Sequence, residues 1–220
     1  MLAQVVLFDG FDPLDVIAPY EVLFAGGTAS AGALRVELVT AEGPREVPSG
    51  SGPVSLRAST TLDPKRADLI VVPGASGRIA DDGDAPDGDD TIPIILGRTL
   101  QTQLPAALKV AMDRPGLTMA TVCGGSLILA MAGLLEGRHA VTHHMGMDLL
   151  EATGAVPVDA RVVDDGDLVT GAGVTSGLDL SLYLLERELG PRIAHAVEKL
   201  FAYERRGTVW HARGPAPAAF

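Results

Sequence analysis

The chain has 220 residues, of which 47% are hydrophobic, enough to bury one sizeable core. Its 28 acidic residues outnumber 17 basic ones, and the net charge of −11 disfavours phosphate backbones, so no nucleic-acid partner is expected. One cysteine, Cys123, excludes an intramolecular disulfide and a cysteine-rich zinc site.

A lone thiol suits a reducing compartment. Residues 1–4 carry no basic leader, and the apolar run 5–8 is too short for a signal core or a membrane span. A soluble cytoplasmic protein, not associated with membranes, is expected.

Residues 4–8 read as a buried strand closed by Asp9-Gly10. Pro13 opens a helix capped by Asp12, with Leu14, Ile17, Leu23 and Phe24 at helical spacing, and Gly26-Gly27 is expected to end it. Residues 35–40 read as a strand, 44–53 as a Pro/Gly/Ser loop and 54–58 as a short edge strand. Residues 68–72 make the clearest buried strand, stopped by Pro73-Gly74. The stretch 81–90 holds six aspartates among glycine and proline, a pattern that favours an exposed loop. It lacks the spacing and terminal glutamate of a calcium hand loop, so no metal is assigned to it.

Residues 94–112 carry a helical apolar stripe that Pro105 kinks or breaks in two. Residues 117–122 read as a strand running straight into Cys123, and 126–135 as a small-residue helix ended by Gly137. A short strand over 140–142 and a helix over 145–152, stopped at Gly154, follow. Strands over 161–163 and 168–170 flank the turn Asp164-Asp165-Gly166, and helices over 176–189 and 193–205 close the pattern. The Pro/Ala-rich end, 214–220, is expected to fray. Apolar strands alternating with helices predict an α/β fold with a mostly parallel sheet and helices on both faces. One domain is expected over 1–206, followed by a partly disordered tail over 207–220.

The run Thr121-Val122-Cys123-Gly124-Gly125-Ser126 takes a strand through a cysteine and two glycines into a helix. Glycines there relieve a strained turn. The helix start favours a thiolate, and the Gly124 amide is placed to meet an oxyanion. The plainer alternative is a small buried hydrophobe. Val72-Pro73-Gly74-Ala75 ends a second strand, where the amides of Gly74 and Ala75 are candidates to complete an oxyanion hole. Asp15 has two readings, a solvated first-turn carboxylate or a protonated carboxyl in an apolar cleft acting as general acid.

In Val141-Thr142-His143-His144, neighbours on an extended segment point to opposite sides, so at most one histidine faces Cys123. Gly171-Ala172-Gly173-Val174-Thr175-Ser176-Gly177 lacks phosphate-loop spacing and reads as packing, with Thr175 or Ser176 capping a helix. His195, Trp210 and His211 are given core or surface roles.

At these motifs the chain resembles the PfpI-type family of the class I glutamine amidotransferase-like superfamily. Within it, the nearest likeness is to the isocyanide (isonitrile) hydratases and the amidotransferase-like domains of some transcription regulators. The resemblance runs from Val5 to about Arg205. It rests on Pro13-Leu14-Asp15-Val16, Pro19, Val22-Leu23, Val72-Pro73-Gly74 and the 121–126 run. Residues 133–138, 140–143 and 169–173 through Asp179 complete it. About fifteen residues follow Arg205, so a two-domain regulator is not expected.

The resemblance implies a flavodoxin-like three-layer sandwich, a nucleophile elbow at Cys123, a homodimer and no cofactor. It implies that Asp15 pairs with the thiol, with His143 nearby and Thr175 in support. The implied activity is a lyase that adds water to a small-molecule isocyanide. Cys123 attacks, Asp15 supplies the proton, and the amides of Gly74, Ala75 and Gly124 hold the oxygen. The alternatives are a glyoxalase- or deglycase-like enzyme acting on 2-oxoaldehydes, or a non-enzymatic cysteine sensor of redox state or ligand. A protease is disfavoured, since Gly and not His follows Cys123. Two departures stand out. Isocyanide hydratases usually carry Thr after the cysteine where this chain has Gly124, so a hydroxyl that would position water or substrate is missing. The acidic stretch 81–90 is also longer than the family norm.

Overall fold

The centre of the sheet is made of apolar runs buried on both faces, as parallel strands covered by helices require. The computed structural model describes residues 1–79, 91–215 and 218. The first half contains β1 (Leu2–Val6), α1 (Pro13–Ala29), β2 (Arg35–Thr40), β3 (Arg45–Pro48), β4 (Ser55–Ala58), β5 (Thr60–Thr61) and β6 (Leu69–Val72). Then come α2 (Ile92–Thr99), α3 (Leu104–Met112), β7 (Thr118–Val122), α4 (Gly125–Met131), β8 (His139–Ala140), α5 (Met147–Ala152) and β9 (Val156–Pro157). The chain closes with β10 (Val162–Asp164), β11 (Leu168–Gly171), α6 (Ser176–Leu189), α7 (Pro191–Phe201) and β12 (Trp210–His211).

The main sheet has the order β12-β10-β11-β7-β6-β1-β2-β5, and only the β10–β11 pair is antiparallel. Its central strands, β2-β1-β6-β7-β11, follow the flavodoxin-like doubly wound order. Helices α1, α6 and α7 pack on one another, while α2, α3 and α5 pack on α4. These two groups are the outer layers of the α/β sandwich that the sequence predicts. Among the described residues, no helix is long and apolar enough to cross a membrane.

Several local expectations need correction. Gly26-Gly27 does not end α1, which continues to Ala29. These glycines serve packing: a Cβ at Gly26 would lie 2.3 Å from Leu185 Cδ2, and one at Gly27 would lie 2.3 Å from the Leu34 carbonyl oxygen. The buried face of α1 carries Asp15, Val16, Ala18, Pro19, Val22 and Leu23, while Leu14, Ile17 and Phe24 are exposed. The loop expected over 44–53 contains β3, which forms a hairpin with β4, because Val47 is buried opposite Leu56. The first strand also begins and ends two residues earlier than its apolar run suggested.

Residues 94–112 do break into two helices. The gap lies at 100–103, and Pro105 sits in the first turn of α3, where its missing N–H costs nothing. Helix α4 stops at Met131, short of Gly137. Within the segment 207–220, Trp210 and His211 pair in parallel with Val163 and Asp164. The acidic run 81–90 lies outside the described residues.

Candidate active site

Three strand ends meet at the carboxyl edge of the sheet. Asp15 enters from the first turn of α1, which follows β1; Gly74 and Ala75 follow β6; Cys123 follows β7. This is where the strand order reverses and where open α/β sheets gather ligands.

Cys123 has φ +55°, a conformation that side chains other than glycine rarely adopt. Its N–H is shared between the carbonyls of Gly171 (3.1 Å) and Ala172 (2.9 Å), and its own carbonyl accepts the Thr142 hydroxyl at 2.7 Å. Two neighbouring glycines allow close approach of separate backbones. A Cβ at Gly125 would lie 2.1 Å from the Val72 carbonyl oxygen, and one at Gly74 would lie 2.6 Å from Gly124 N.

The Asp15 side chain is fully buried. Its Oδ2 accepts the Gly74 N–H at 2.9 Å, and its Oδ1 has no hydrogen-bond partner. Asp12 caps α1 by accepting the N–H groups of Leu14 and Asp15. Burial first, and the neighbouring Asp12 charge second, hold the Asp15 carboxyl well above the usual carboxylate range. The Gly74 N–H and the Cys123 thiol offset this only in part.

The thiol is raised as well, by burial and then by the Asp15 carboxyl, with the Gly124 N–H pulling the other way. A lowered thiol was expected from the helix start, and this is corrected. One amide does not offset burial and an adjacent acid. The pair therefore favours two protons at rest, a neutral carboxyl beside a neutral thiol. Of the two readings of Asp15, the solvated carboxylate is excluded by its burial.

Cys123 opens on a cavity of about 400 Å³. Its walls are mostly apolar and include Ile92, Leu96, Leu127 and Val174, with His143 as a polar member. His143 is half-buried, and its Nδ1 accepts the Met145 N–H at 3.3 Å, which leaves a neutral ring protonated at Nε2. Burial and then His144 lower its pKa, so the neutral form is favoured. The two histidine rings do not diverge as expected; their centroids lie 4.2 Å apart. The backbone turns into a short 3-10 helix at His144 and loses its extended alternation.

Other expected residues are placed differently. The Gly74 N–H is committed to Asp15 and does not remain open to a substrate oxygen. Ala75 lines the cavity, and its N–H has no hydrogen bond among the described residues. Thr175 is exposed, accepts from Arg161 at 3.0 Å and is not part of the cavity wall. Neither Thr175 nor Ser176 caps α6 with its side chain.

Hydroxyls overlooked in the sequence fasten the segment bearing His143. Ser126 donates to the Val141 carbonyl at 2.7 Å, and Thr170 accepts the Val141 N–H at 2.9 Å. No motif marks them, since each is an ordinary residue in or beside an apolar run. Among the described residues, no cluster of three His, Cys, Asp or Glu side chains offers a metal site.

Comparison with known proteins places the chain in a family. Residues 95–187 match the model of the DJ-1/PfpI family. The isonitrile hydratase of Pseudomonas putida is 35% identical over 199 residues, covering 90% of this chain and 76% of that protein. The HTH-type transcriptional regulator CdhR of Pseudomonas aeruginosa is 28% identical, covering 91% of this chain but 54% of the regulator. A THiJ/PfpI family protein from Pseudomonas syringae superposes with a TM-score of 0.74 at 25% identity, covering 94% of this chain and 76% of that one. Drosophila melanogaster DJ-1beta shares the fold with a TM-score of 0.74 at 21% identity, covering 92% of this chain and 98% of the other. With a matching family model, a relative alike over nearly the whole chain, and the same doubly wound sheet in solved structures, this chain belongs to the DJ-1/PfpI family.

Proposed function

We propose that the chain is an isocyanide hydratase-like lyase that converts R–NC and water to R–NH–CHO. The observation that carries this reading is the fully buried Asp15 carboxyl, its pKa raised by that burial, behind the Cys123 thiol that opens on an apolar cavity. An isocyanide is uncharged, so a neutral resting pair receives it without burying a charge. Its terminal carbon needs a proton and a nucleophile together, which an acid next to a thiol supplies.

In the first step, Asp15 gives its proton to that carbon while the sulfur bonds to it, and the carboxyl takes the thiol proton. The product is a thioimidate, R–N=CH–S–Cys123. Water then adds to the carbon; Asp15 protonates the nitrogen and receives a proton from the water. Finally the C–S bond breaks, the hydroxyl proton passes to Asp15, and the sulfur recovers its proton as the formamide leaves. At each step the carboxyl gives one proton and takes one, so it ends as it began.

The amides of Ala75 and Gly124 are the donors for the oxygen, since Gly74 serves Asp15. Neutral His143 adds a polar group that holds water in an otherwise apolar cavity. This work needs no cofactor and suits a reducing cytoplasm, where the thiol stays reduced.

The test is formamide production from an alkyl isocyanide by the wild type and by Cys123→Ala. Turnover in the wild type alone supports the reading; equal turnover by both proteins rejects it. We also propose a homodimer, supported by exposed Phe24 and Leu200, which line one groove between α1 and α7.

A further inference from the structure

The cavity on which Cys123 opens has a single carboxylate on its wall. Of the described residues that line it, Asp12 alone is an Asp, Glu, Lys or Arg. The other polar side chains there are Ser76, the thiol and His143, and His143 favours the neutral ring. The rest of the wall is mostly apolar, so little stands between Asp12 and a ligand to screen its charge.

Asp12 is fixed where it stands. Its Oδ1 accepts the N–H groups of Leu14 at 2.8 Å and Asp15 at 3.4 Å, and its own N–H donates to the Gly74 carbonyl at 2.9 Å. Gly74 in turn abuts the elbow, since a Cβ there would lie 2.6 Å from Gly124 N. These contacts put Asp12 at the same corner of the cavity as the sulfur. Among the described residues, its Oδ2 accepts no hydrogen bond and no Lys, Arg or His pairs with it.

The N-terminus of α1 offsets only about half an elementary charge, so the corner stays net negative. Asp12 is half-buried, and its field runs partly through protein, where charges act more strongly than in water. That field reaches the reacting pair. Behind burial, it helps hold the Asp15 carboxyl up; behind burial and Asp15, it helps raise the Cys123 thiol.

We propose that Asp12 sets the charge preference of this site: ligands whose substituent carries a cation such as an ammonium are favoured, uncharged ones are accepted, and carboxylates are refused. The substrate class is then isocyanides with a cationic or uncharged R group. That class rests on the hydratase reading, whereas the charge preference itself needs only Cys123 as the reacting group.

The experiment labels Cys123, the one cysteine, with 2-aminoethyl, 2-hydroxyethyl and 2-carboxyethyl methanethiosulfonate at neutral pH and low salt, followed by mass spectrometry on the full chain. Each rate is divided by that of 2-mercaptoethanol, which removes the reagents' own differences. In the wild type the order is ammonium, hydroxyl, carboxylate, with roughly tenfold between the ends. Asp12→Asn keeps a capping side chain and brings the ends within about twofold. A general change in thiol reactivity or in fold moves all three reagents alike and leaves this ratio as it was. The chain's net charge of −11 is barely altered by one substitution, so its repulsion of anions persists in the variant. If Asp12→Asn does not fold, Asp12→Ser, which also caps, serves the same test. A wild type without this order, an order that survives in the folded variant, or a sulfur that none of the reagents reaches overturns the proposal. In the substrate arm, isocyanoacetate shows a KM at least about tenfold above that of its methyl ester, and Asp12→Asn narrows the gap. Equal KM values in the wild type also overturn the proposal. If neither compound is turned over, the hydratase reading fails, while the labelling still decides the role of Asp12.

Discussion

The carboxyl of Asp15 and the amide of Gly74, 59 positions apart in the chain, meet at 2.9 Å and tie the first turn of α1 to the end of β6. The contact satisfies one carboxyl oxygen and leaves the other without a hydrogen bond. A carboxyl so placed resists ionisation, and its resistance should be visible in stability. Burial raises the folded-state pKa of Asp15 above its unfolded value, near 3.9. The unfolded chain releases this proton first, so between the two values the folded protein binds more protons. Stability then falls as pH rises through that window; the loss is absent below it and complete above it. Asp15→Asn keeps an acceptor for Gly74 and has no proton to lose. Denaturant unfolding at pH 4 and pH 8 should therefore show Asp15→Asn gaining on the wild type as pH rises. A gap that stays constant, or that closes with pH, speaks against a buried proton at this position.

The same contact explains why the sequence left Asp15 with two readings. A residue in the first turn of a helix is buried or exposed according to which face meets the sheet. Apolar Leu14 and Ile17 beside it suggested one face, yet they point outward. The decision belongs to α6, whose Leu185 packs over Gly26 and sets the rotation of α1. Cys123 was easier to locate, because a strand, a cysteine, two glycines and a helix lie consecutively in the chain. Its protonation was not legible, since the burial that raises it comes from distant segments. Residues 69–72 and 118–122 were legible from their own apolar content, whereas β3 and β12 hold their places through partners elsewhere in the chain.

Gly74 should be intolerant of even one added carbon. A Cβ there would lie 2.6 Å from Gly124 N and 2.9 Å from Asp15 Oδ2, so it would push apart the two segments that frame the sulfur. Gly74→Ala is expected to cost about 1–3 kcal/mol in urea unfolding, the usual range for overpacking. It should also lower isocyanide turnover through a fall in kcat, since the amide and the acid are displaced together. Native stability with full activity would mean that this approach is looser than its distances imply.

The outward faces of α1 and α7 give a separate prediction. Phe24 is 58% exposed and Leu200 72% exposed, and the two line one groove. If a second copy covers them, sedimentation equilibrium gives a dimer for the wild type. Phe24→Glu combined with Leu200→Glu then gives a monomer with unchanged circular dichroism, because neither side chain belongs to the core. A wild-type monomer, or a double variant that remains dimeric, removes this face from consideration.

Gly124 stands where the isocyanide hydratases usually carry Thr, and the structure shows what fills the space. A Cβ at position 124 would come within 3.2 Å of Leu96 Cδ1, closer than side chains ordinarily approach. Leu96 is buried on α2 and forms part of the cavity wall, so it occupies the room a residue at 124 would need. Gly124→Thr alone should cost about 1–3 kcal/mol by overpacking, and Leu96→Ala alone about 2–5 kcal/mol by opening a cavity. Made together, each change relieves the other, and the double variant should be more stable than the sum of the singles by at least about 0.5 kcal/mol. It would also return a hydroxyl to the cavity beside the sulfur. Turnover of isocyanides should therefore recover in the double variant relative to Gly124→Thr. Strict additivity in the cycle would mean that Leu96 and the missing side chain do not compete for one space, and that the glycine has another cause.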